Sequence, residues 1–314
     1  MSPMRAAAAI DALDALAAER GVALDRDVSL APLTTLRVGG PADRFAVASD
    51  LEGLVALLRM ARDAGVEPFL IGKGSDIVVS DAGIRGLVIR VRADAVRAEG
   101  HVVHAEAGAS MTGLAKRCAK DGLAGFDWGI SIPGSFGGAV WANAGAHDGE
   151  MADVVAEVEI YDPRDGSRRT LAVDELGFTY RDSRFKHSPE VVLAGSIDLR
   201  AGDPVEIAAL VAEHQARRAA TQPLADQNAG SVFRNPAGDH AGRLVEAAGL
   251  KGHRIGTAQV SALHANFIVT DRGAARAADV RALGDHVRAT VLDRFGVELA
   301  YEIEFVGDWA EAAA

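Results

Sequence analysis

Cysteine is almost missing from this chain. Cys118 is the only one, which excludes an intrachain disulfide and any metal centre built on several thiolates. Long apolar runs are missing as well. No stretch approaches the about 18 consecutive apolar residues of a membrane helix. The N-terminus has Arg5 followed by alanines and then Asp11 and Asp14, so it lacks the continuous apolar core of a secretory signal. Positive charge is in deficit: 33 Lys and Arg against 44 Asp and Glu leave a net charge of −11. That is the reverse of the basic footprint expected for nucleic-acid binding. The expected setting is therefore the cytoplasm, with neither membrane nor nucleic acid as partner. A phosphate-bearing ligand would be held by local main-chain N–H groups and single cations, against the overall field. His101 and His104, three apart in a strand-like run, would face opposite sides. No metal site is expected.

What is present belongs to an ordinary globular protein, with 49% hydrophobic and 25% charged residues over 314 positions. This length has room for two or three domains. The most unusual stretch is Gly129-Ile130-Ser131-Ile132-Pro133-Gly134-Ser135-Phe136-Gly137-Gly138-Ala139-Val140-Trp141-Ala142-Asn143-Ala144-Gly145. A solvated linker would carry more charge and less Ile, Phe, Val and Trp. Glycines among such neighbours suggest buried backbone that another group approaches closely. Exposed N–H groups in such a turn would form a nest suited to an anion such as pyrophosphate. A tight turn between core elements is the alternative.

Along the chain, residues 4–19 carry Ile10, Leu13 and Leu16 at helical spacing, and Gly21 is the expected stop. Residues 34–47 read as an apolar strand broken by Gly39-Gly40-Pro41. Asp50 is expected to cap a helix over 51–64. Strand Pro68–Ile71 runs into Gly72-Lys73-Gly74-Ser75-Asp76. A dinucleotide fingerprint would want glycine at position 77, which is Ile77, and a P-loop would want Ser or Thr after Lys73. Both are excluded, although the loop still offers consecutive N–H donors and one ammonium. Strands follow to 107. A short helix over 110–121 is expected to be capped by Ser110, with Met111, Leu114, Ala115 and Cys118 inward. More strands fill 153–194. The second body opens with a helix over 203–219 that turns Ile207, Leu210 and Val211 inward. It continues with a helix over 241–248, a strand over 265–269, a long helix over 275–295 and a last strand over 298–306. In that strand Leu299, Tyr301, Ile303 and Phe305 share one face, and Glu302 and Glu304 the other. The pattern is α+β with a boundary near 200–205.

Six segments, in this order, resemble the UDP-N-acetylenolpyruvoylglucosamine reductase family. They are Thr35-Leu36-Arg37-Val38-Gly39-Gly40, Gly72–Asp76, Ile132–Ala139, Tyr180-Arg181-Asp182-Ser183, Gly230-Ser231-Val232-Phe233-Arg234-Asn235-Pro236, and Glu302. Together they cover roughly residues 30 to 307. The resemblance implies an α+β FAD-binding domain of the p-cresol methylhydroxylase type over 25–202. It implies a substrate-binding domain over 203–297, a C-terminal strand and tail over 298–314, and a separate N-terminal helix over 1–24. It also implies that the FAD pyrophosphate is held by Gly72, Lys73, Gly74, Ser75, Asp76, Ile132, Pro133, Gly134, Ser135, Gly137 and Gly138, with Asn143 and Gly145 close by.

The implied reaction is reduction of UDP-N-acetylglucosamine enolpyruvate to UDP-N-acetylmuramate by NADPH through FAD, by a chain acting as a monomer. Such a reaction needs a proton donor for the carbon beside the carboxylate and a positive charge on that carboxylate. The resemblance gives Ser231 the first task and Arg181 the second, and makes Glu302 a partner in substrate activation. Tyr180 and Asn235 are implied as substrate contacts. By residue pattern alone, Ser231 reads as a turn serine, Arg181 as an ion-pair partner of Asp182 or a neighbour, and Glu302 as a solvent-face residue. The chain resembles the lid-less version of the family, since its only tyrosines are Tyr161, Tyr180 and Tyr301. Thr221 stands where some relatives have lysine, so diphosphate contacts do not carry over there. An oxygen-using oxidase on the same fold and a non-catalytic flavin or nucleotide-sugar module are the competing readings.

Overall fold

The structure, a computed structural model, describes residues 3–310. It contains two compact units. The first takes the chain up to Arg26, then Arg44–Lys73 and Gly86–Ala216; the second takes Asp27–Asp43, Gly74–Arg85 and the chain from Arg217. Each buries its own apolar core. No helix among the described residues is long and apolar enough to cross a membrane.

In the first unit, helix α1 (Pro3–Arg20) buries Leu13 and ends at Gly21, whose φ of 66° a side chain would strain. Helix α2 (Leu51–Asp63) opens as expected, with the Asp50 carboxylate accepting the Gly53 N–H at 2.7 Å. Helix α3 (Met111–Lys120) turns Met111, Leu114, Ala115 and Cys118 inward. Ser110 sits at its start but does not cap it; the hydroxyl meets Thr112 Oγ1 at 3.1 Å instead. Burial pushes the Cys118 thiol up to about 12, so it is a protonated core group.

The glycine-rich stretch folds mostly as helix α4 (Phe136–Ala142). The Phe136 ring packs so closely on Gly195 that a Cβ there would lie 3.0 Å from it. Gly195 belongs to Val191–Asp198, the central strand of an antiparallel five-stranded sheet. Its order is Ser167–Ala172, Val155–Asp162, Val191–Asp198, Val102–Glu106, Val96–Glu99. Helix α5 (Pro204–Thr221) buries Ile207 and Val211, one turn apart. Leu210, expected inward, is 44% exposed, because the contact is a narrow i, i+4 stripe.

In the second unit, helices α6 (Ala241–Ala247) and α7 (Ala277–Phe295) pack against a four-stranded antiparallel sheet. Its order is Gln227–Asn228, Ile268–Thr270, Ala258–Val260, Arg254–Ile255. Ile77–Val79 pairs in parallel with Glu304–Val306.

Three expected strands are shorter than the pattern suggests. Residues 34–40 form no strand; the regular segment is Pro41–Ala48. The Thr34 hydroxyl donates to the carbonyls of Ala31 (3.2 Å) and Val38 (2.9 Å) and Arg37 has φ 58°, which folds this piece into a turn. Residues 265–267 leave the sheet because Asn266 binds another segment, described below. In the last strand only Glu304–Val306 forms a ladder, although Leu299 and Ile303 are buried as their alternation requires.

Candidate active site

In the first unit, Gly72 ends the strand Phe69–Ile71 and abuts Ser135, the residue before α4. A Cβ at Gly72 would stand 2.3 Å from Ser135 Oγ and 3.1 Å from its Cβ. Two segments far apart in sequence, 72–73 and 132–138, are therefore neighbours, and a side chain at 72 would displace the Ser135 hydroxyl and crowd its Cβ. Within the stretch the main-chain donors are not all alike. Phe136 N–H donates to Ala109 O and Gly137 N–H to Ala107 O, both at 2.8 Å. Those two donors are already engaged within the protein.

Asn143 follows α4 in left-handed geometry (φ 44°, ψ 54°) and is fully buried. Its amide nitrogen donates to Thr179 O at 2.9 Å and its oxygen accepts Ala152 N–H at 3.0 Å. The side chain thus ties the end of α4 to the turn that carries Tyr180 and Arg181. In that turn Thr179 and Asp182 exchange main-chain hydrogen bonds of 3.1 and 3.0 Å. Ser183 Oγ fastens its far side to Trp141 O at 2.7 Å. Arg181 has φ 55°, a costly conformation for a side-chain-bearing residue, and its guanidinium donates to Gly145 O at 2.7 Å. The guanidinium carbon also lies 5.2 Å from the centre of the Tyr180 ring, which is half exposed. His187 hydrogen-bonds the neighbouring Asp182 at 3.0 Å and holds that carboxyl below the usual carboxylate range. The glycine-rich stretch therefore also serves to aim Arg181.

In the second unit, Ser231 and Glu302 are brought together by main-chain pairing. Glu302 N–H donates to Val232 O (2.8 Å), Arg234 N–H donates to Ala300 O (2.9 Å), and Phe233 bridges to Tyr301. Behind this pair stands Asn266, which is 4% exposed. Its carbonyl accepts Val232 N–H (2.8 Å), its side-chain oxygen accepts Phe233 N–H (3.0 Å), and its amide donates to Phe233 O (2.8 Å). Three bonds from one buried residue fix the backbone that carries Ser231. Asn235 Oδ1 accepts Ala241 N–H at 3.1 Å, at the start of α6. Ser231 and Asn235 open onto a common cleft of about 420 Å³.

Residues 222–306 match the model of the UDP-N-acetylenolpyruvoylglucosamine reductase C-terminal domain, and residues 42–172 match that of an FAD binding domain. UDP-N-acetylenolpyruvoylglucosamine reductase 2 of Symbiobacterium thermophilum is 45% identical over 276 residues, covering 87% of this chain and 89% of the relative. The Synechococcus reductase is 42% identical over 295 residues, covering 93% and 96%. The crystal structure of the enzyme from Thermus caldophilus superposes with a TM-score of 0.78 at 34% identity, covering 90% and 98% of the two chains.

The chain belongs to the UDP-N-acetylenolpyruvoylglucosamine reductase family. It is thereby an FAD-dependent oxidoreductase of α+β fold. Each unit, taken by itself, has one feature that fits a nucleotide ligand. The Gly72–Ser135 approach lays the 72–73 and 132–138 segments alongside one another. In the second unit Thr35 N–H donates to Gly74 O at 2.9 Å, while the Thr35 hydroxyl is buried with no partner among the described residues. A buried donor beside the Gly74 turn suits a polar ligand atom.

Of the residues singled out in the sequence, Gly72, Lys73, Ile132–Gly138, Asn143, Gly145, Tyr180 and Arg181 lie in the first unit. Gly74, Ser75, Asp76, Ser231, Asn235 and Glu302 lie in the second. Sequence reasoning missed Asn266, which sits in a run that reads as ordinary strand. It also passed over the hydroxyl of Thr35, inside a segment that had been recognised.

Proposed function

We propose that the chain reduces UDP-N-acetylglucosamine enolpyruvate to UDP-N-acetylmuramate, an early step of peptidoglycan precursor synthesis, with NADPH as reductant. The observation that carries the assignment to particular residues is the joint anchoring of Ser231 and Glu302 on one main-chain pairing. FAD, when bound, would supply the hydride chemistry, with NADPH as the reductant. Ser231 delivers the proton to the carbon next to the substrate carboxylate; a hydroxyl is a weak acid, so its position must be held, and the Asn266 clamp holds it. Arg181 sets a guanidinium against the planar carboxylate and stabilises the charge that gathers there. Glu302 assists as a proton relay or by orienting the carboxylate. Tyr180 and Asn235 contact the substrate.

The cofactor is held by main chain from Gly72 to Asp76 and from Ile132 to Gly138, apart from the Phe136 and Gly137 N–H groups that the protein itself engages, with Asn143 and Gly145 as the frame behind. The functional division of the chain is an N-terminal helix over 1–24, an FAD domain over 25–202, a substrate domain over 203–297 and a C-terminal segment that delivers Glu302. The protein works as a monomer in the cytoplasm, which size-exclusion chromatography and cell fractionation test.

The decisive experiment is anaerobic. NADPH should bleach the flavin absorbance, and adding UDP-N-acetylglucosamine enolpyruvate without oxygen should restore it. Colour returning only with oxygen identifies an oxidase. A flavin that NADPH never bleaches identifies a binding module.

A further inference from the structure

The main-chain pairing that joins the Ser231 and Glu302 segments is gripped on both edges. Asn266 grips one edge through the N–H and carbonyl of Phe233. Helix α7 grips the other, and it does so through Tyr301. Leu299 and Ile303 are buried in the core of the second unit, and Tyr301, between them, shares their face. Of these three it alone has a polar tip, and that tip reaches α7: the Tyr301 hydroxyl donates to Asp285 Oδ1 at 2.8 Å. Burial, together with the Asp285 carboxylate, pushes the pKa of the hydroxyl up, so it stays protonated and acts as the donor. Phenylalanine would fill the same space. What the hydroxyl adds is a tether to the helix.

The ring is confined as well. Its centre lies 5.2 Å from that of Phe233 with the planes 27° apart, so it stacks on the residue that it faces across the pairing. A Cβ at Gly284 would stand 2.6 Å from the Tyr301 hydroxyl oxygen and 2.9 Å from Cε1, so α7 comes up to the ring through a glycine. Phe305 meets the ring edge-on with centres 4.9 Å apart, and the Arg288 guanidinium carbon lies 5.0 Å from its centre. Arg288 also donates from Nε to Leu299 O at 2.8 Å, which gives α7 a second hold on the same segment. The two grips meet in the Phe233–Tyr301 stack. On either side of it run the main-chain bonds from Glu302 N–H to Val232 O and from Arg234 N–H to Ala300 O.

We propose that Tyr301 is a positioning residue for the proton-transfer step: through its bond to Asp285 and its stack on Phe233 it fixes the Glu302 segment against the Ser231 segment. This rests on the reading that Ser231 and Glu302 serve the substrate half-reaction. Tyr301 acts through its neighbours and transfers no proton itself.

The test compares FAD-loaded wild type with Tyr301→Phe, Asp285→Ala and Asp285→Asn. Phenylalanine keeps the ring and its stack but loses the tether. Alanine at 285 removes the acceptor from a side chain that is 54% exposed, so the core stays intact, and asparagine keeps an acceptor. In stopped-flow experiments Tyr301→Phe and Asp285→Ala should each slow flavin reoxidation by the enolpyruvate substrate about tenfold, the loss of one hydrogen bond. The KM for that substrate and the rate of flavin reduction by NADPH should not change. Asp285→Asn should recover most of the loss. The double variant Tyr301→Phe/Asp285→Ala should be no slower than either alone, because both remove the same bond. Equal slowing of the two half-reactions, a loss carried by KM, additive losses or no rescue by asparagine overturns the proposal. A second measurement needs no turnover. Amide hydrogen exchange at Glu302 N–H, followed by NMR, should quicken about tenfold in Tyr301→Phe and Asp285→Ala and stay near wild type in Asp285→Asn; unchanged exchange in all three overturns the proposal. Quickened exchange in a protein whose wild type fails to reduce the enolpyruvate substrate would refute the reductase reading and leave Tyr301 as the residue that holds this register.

Discussion

Glu302 and Val232 are joined by a 2.8 Å main-chain hydrogen bond, from the N–H of the first to the carbonyl of the second. The glutamate of the C-terminal segment is thereby registered against the residue that follows Ser231. Two side chains that the resemblance assigns to one reaction are carried on paired backbone. Their relative position depends on peptide geometry more than on flexible side-chain contacts, which is what a proton donor of low acidity requires.

Replacing Ser231 by alanine separates the two half-reactions. Flavin reduction by NADPH should proceed at nearly the wild-type rate. Flavin reoxidation by the enolpyruvate substrate should slow by roughly 10²–10⁴-fold, the range for loss of a general acid. Stopped-flow absorbance under nitrogen measures both. Equal slowing of the two halves would mean that the serine only shapes the loop.

Asn266→Ala attacks the support behind that serine. It strands the N–H and the carbonyl of Phe233, a residue 2% exposed. At about 1–3 kcal/mol for each buried unsatisfied group, urea unfolding should report a loss of about 2–6 kcal/mol. The surviving folded protein should turn over substrate more slowly than wild type. A stability unchanged within error would show that the clamp is not a supporting element.

Arg181 is tested by glutamine, which keeps a donor toward Gly145 O but removes the charge. The substrate half-reaction should fall on the order of 10²–10³-fold, the usual effect of losing one group that stabilises developing negative charge. Flavin content should stay constant. If Arg181→Gln turned over normally, the guanidinium would be no more than an anchor for the 179–182 turn.

Gly72 is tested by size. Alanine must push Ser135 away from a 2.3 Å approach, and valine must push it further. The ratio of flavin to protein absorbance in purified samples should fall in the order glycine, alanine, valine. A flat series would remove the Gly72–Ser135 contact from the account of cofactor binding.

Glu190 gives a pH signature in the first unit. Its side chain is fully buried among Arg164, Arg169 and Arg184, and Ser188 Oγ donates to it at 3.0 Å. Burial by itself would raise its pKa, but the Ser188 hydroxyl and the Arg169 and Arg184 guanidinium groups outweigh that and hold the carboxyl below its usual 4.5. A depressed carboxyl stabilises the fold fully above the unfolded value and loses that stabilisation as pH falls through the lower folded value. Glu190→Gln should therefore be less stable than wild type at pH 7 and show a shallower loss of stability below pH 4.5. Chemical denaturation across that window measures the slope; identical slopes would exclude Glu190 as a source of acid sensitivity.

Much of the architecture was legible in short-range chemistry. Asp50 announced the start of α2, the apolar spacing of Met111, Leu114 and Cys118 announced the buried face of α3, and Gly21 marked the end of α1. Where the reading went astray, local hydrogen bonds defeated the pattern. Thr34 bonding to Val38 folded an apparent strand into a turn, and Leu210 fell outside a contact stripe whose width no periodicity specifies.

The order of residues alone settled which chemical groups this chain possesses. It supplied six recognisable segments in sequence, one cysteine with no partner, and a glycine stretch too apolar to be a linker. Tertiary structure alone decided how those groups are employed. Asn266 reads as an ordinary strand residue until its amide is seen closing on Phe233, 33 positions away, and Asn143 becomes a brace only when Thr179, 36 positions away, folds onto it. The physical reason is that a hydrogen bond between distant residues leaves no periodicity in the chain. Its partners are chosen by the packing of the core, and that choice is made only when the chain folds.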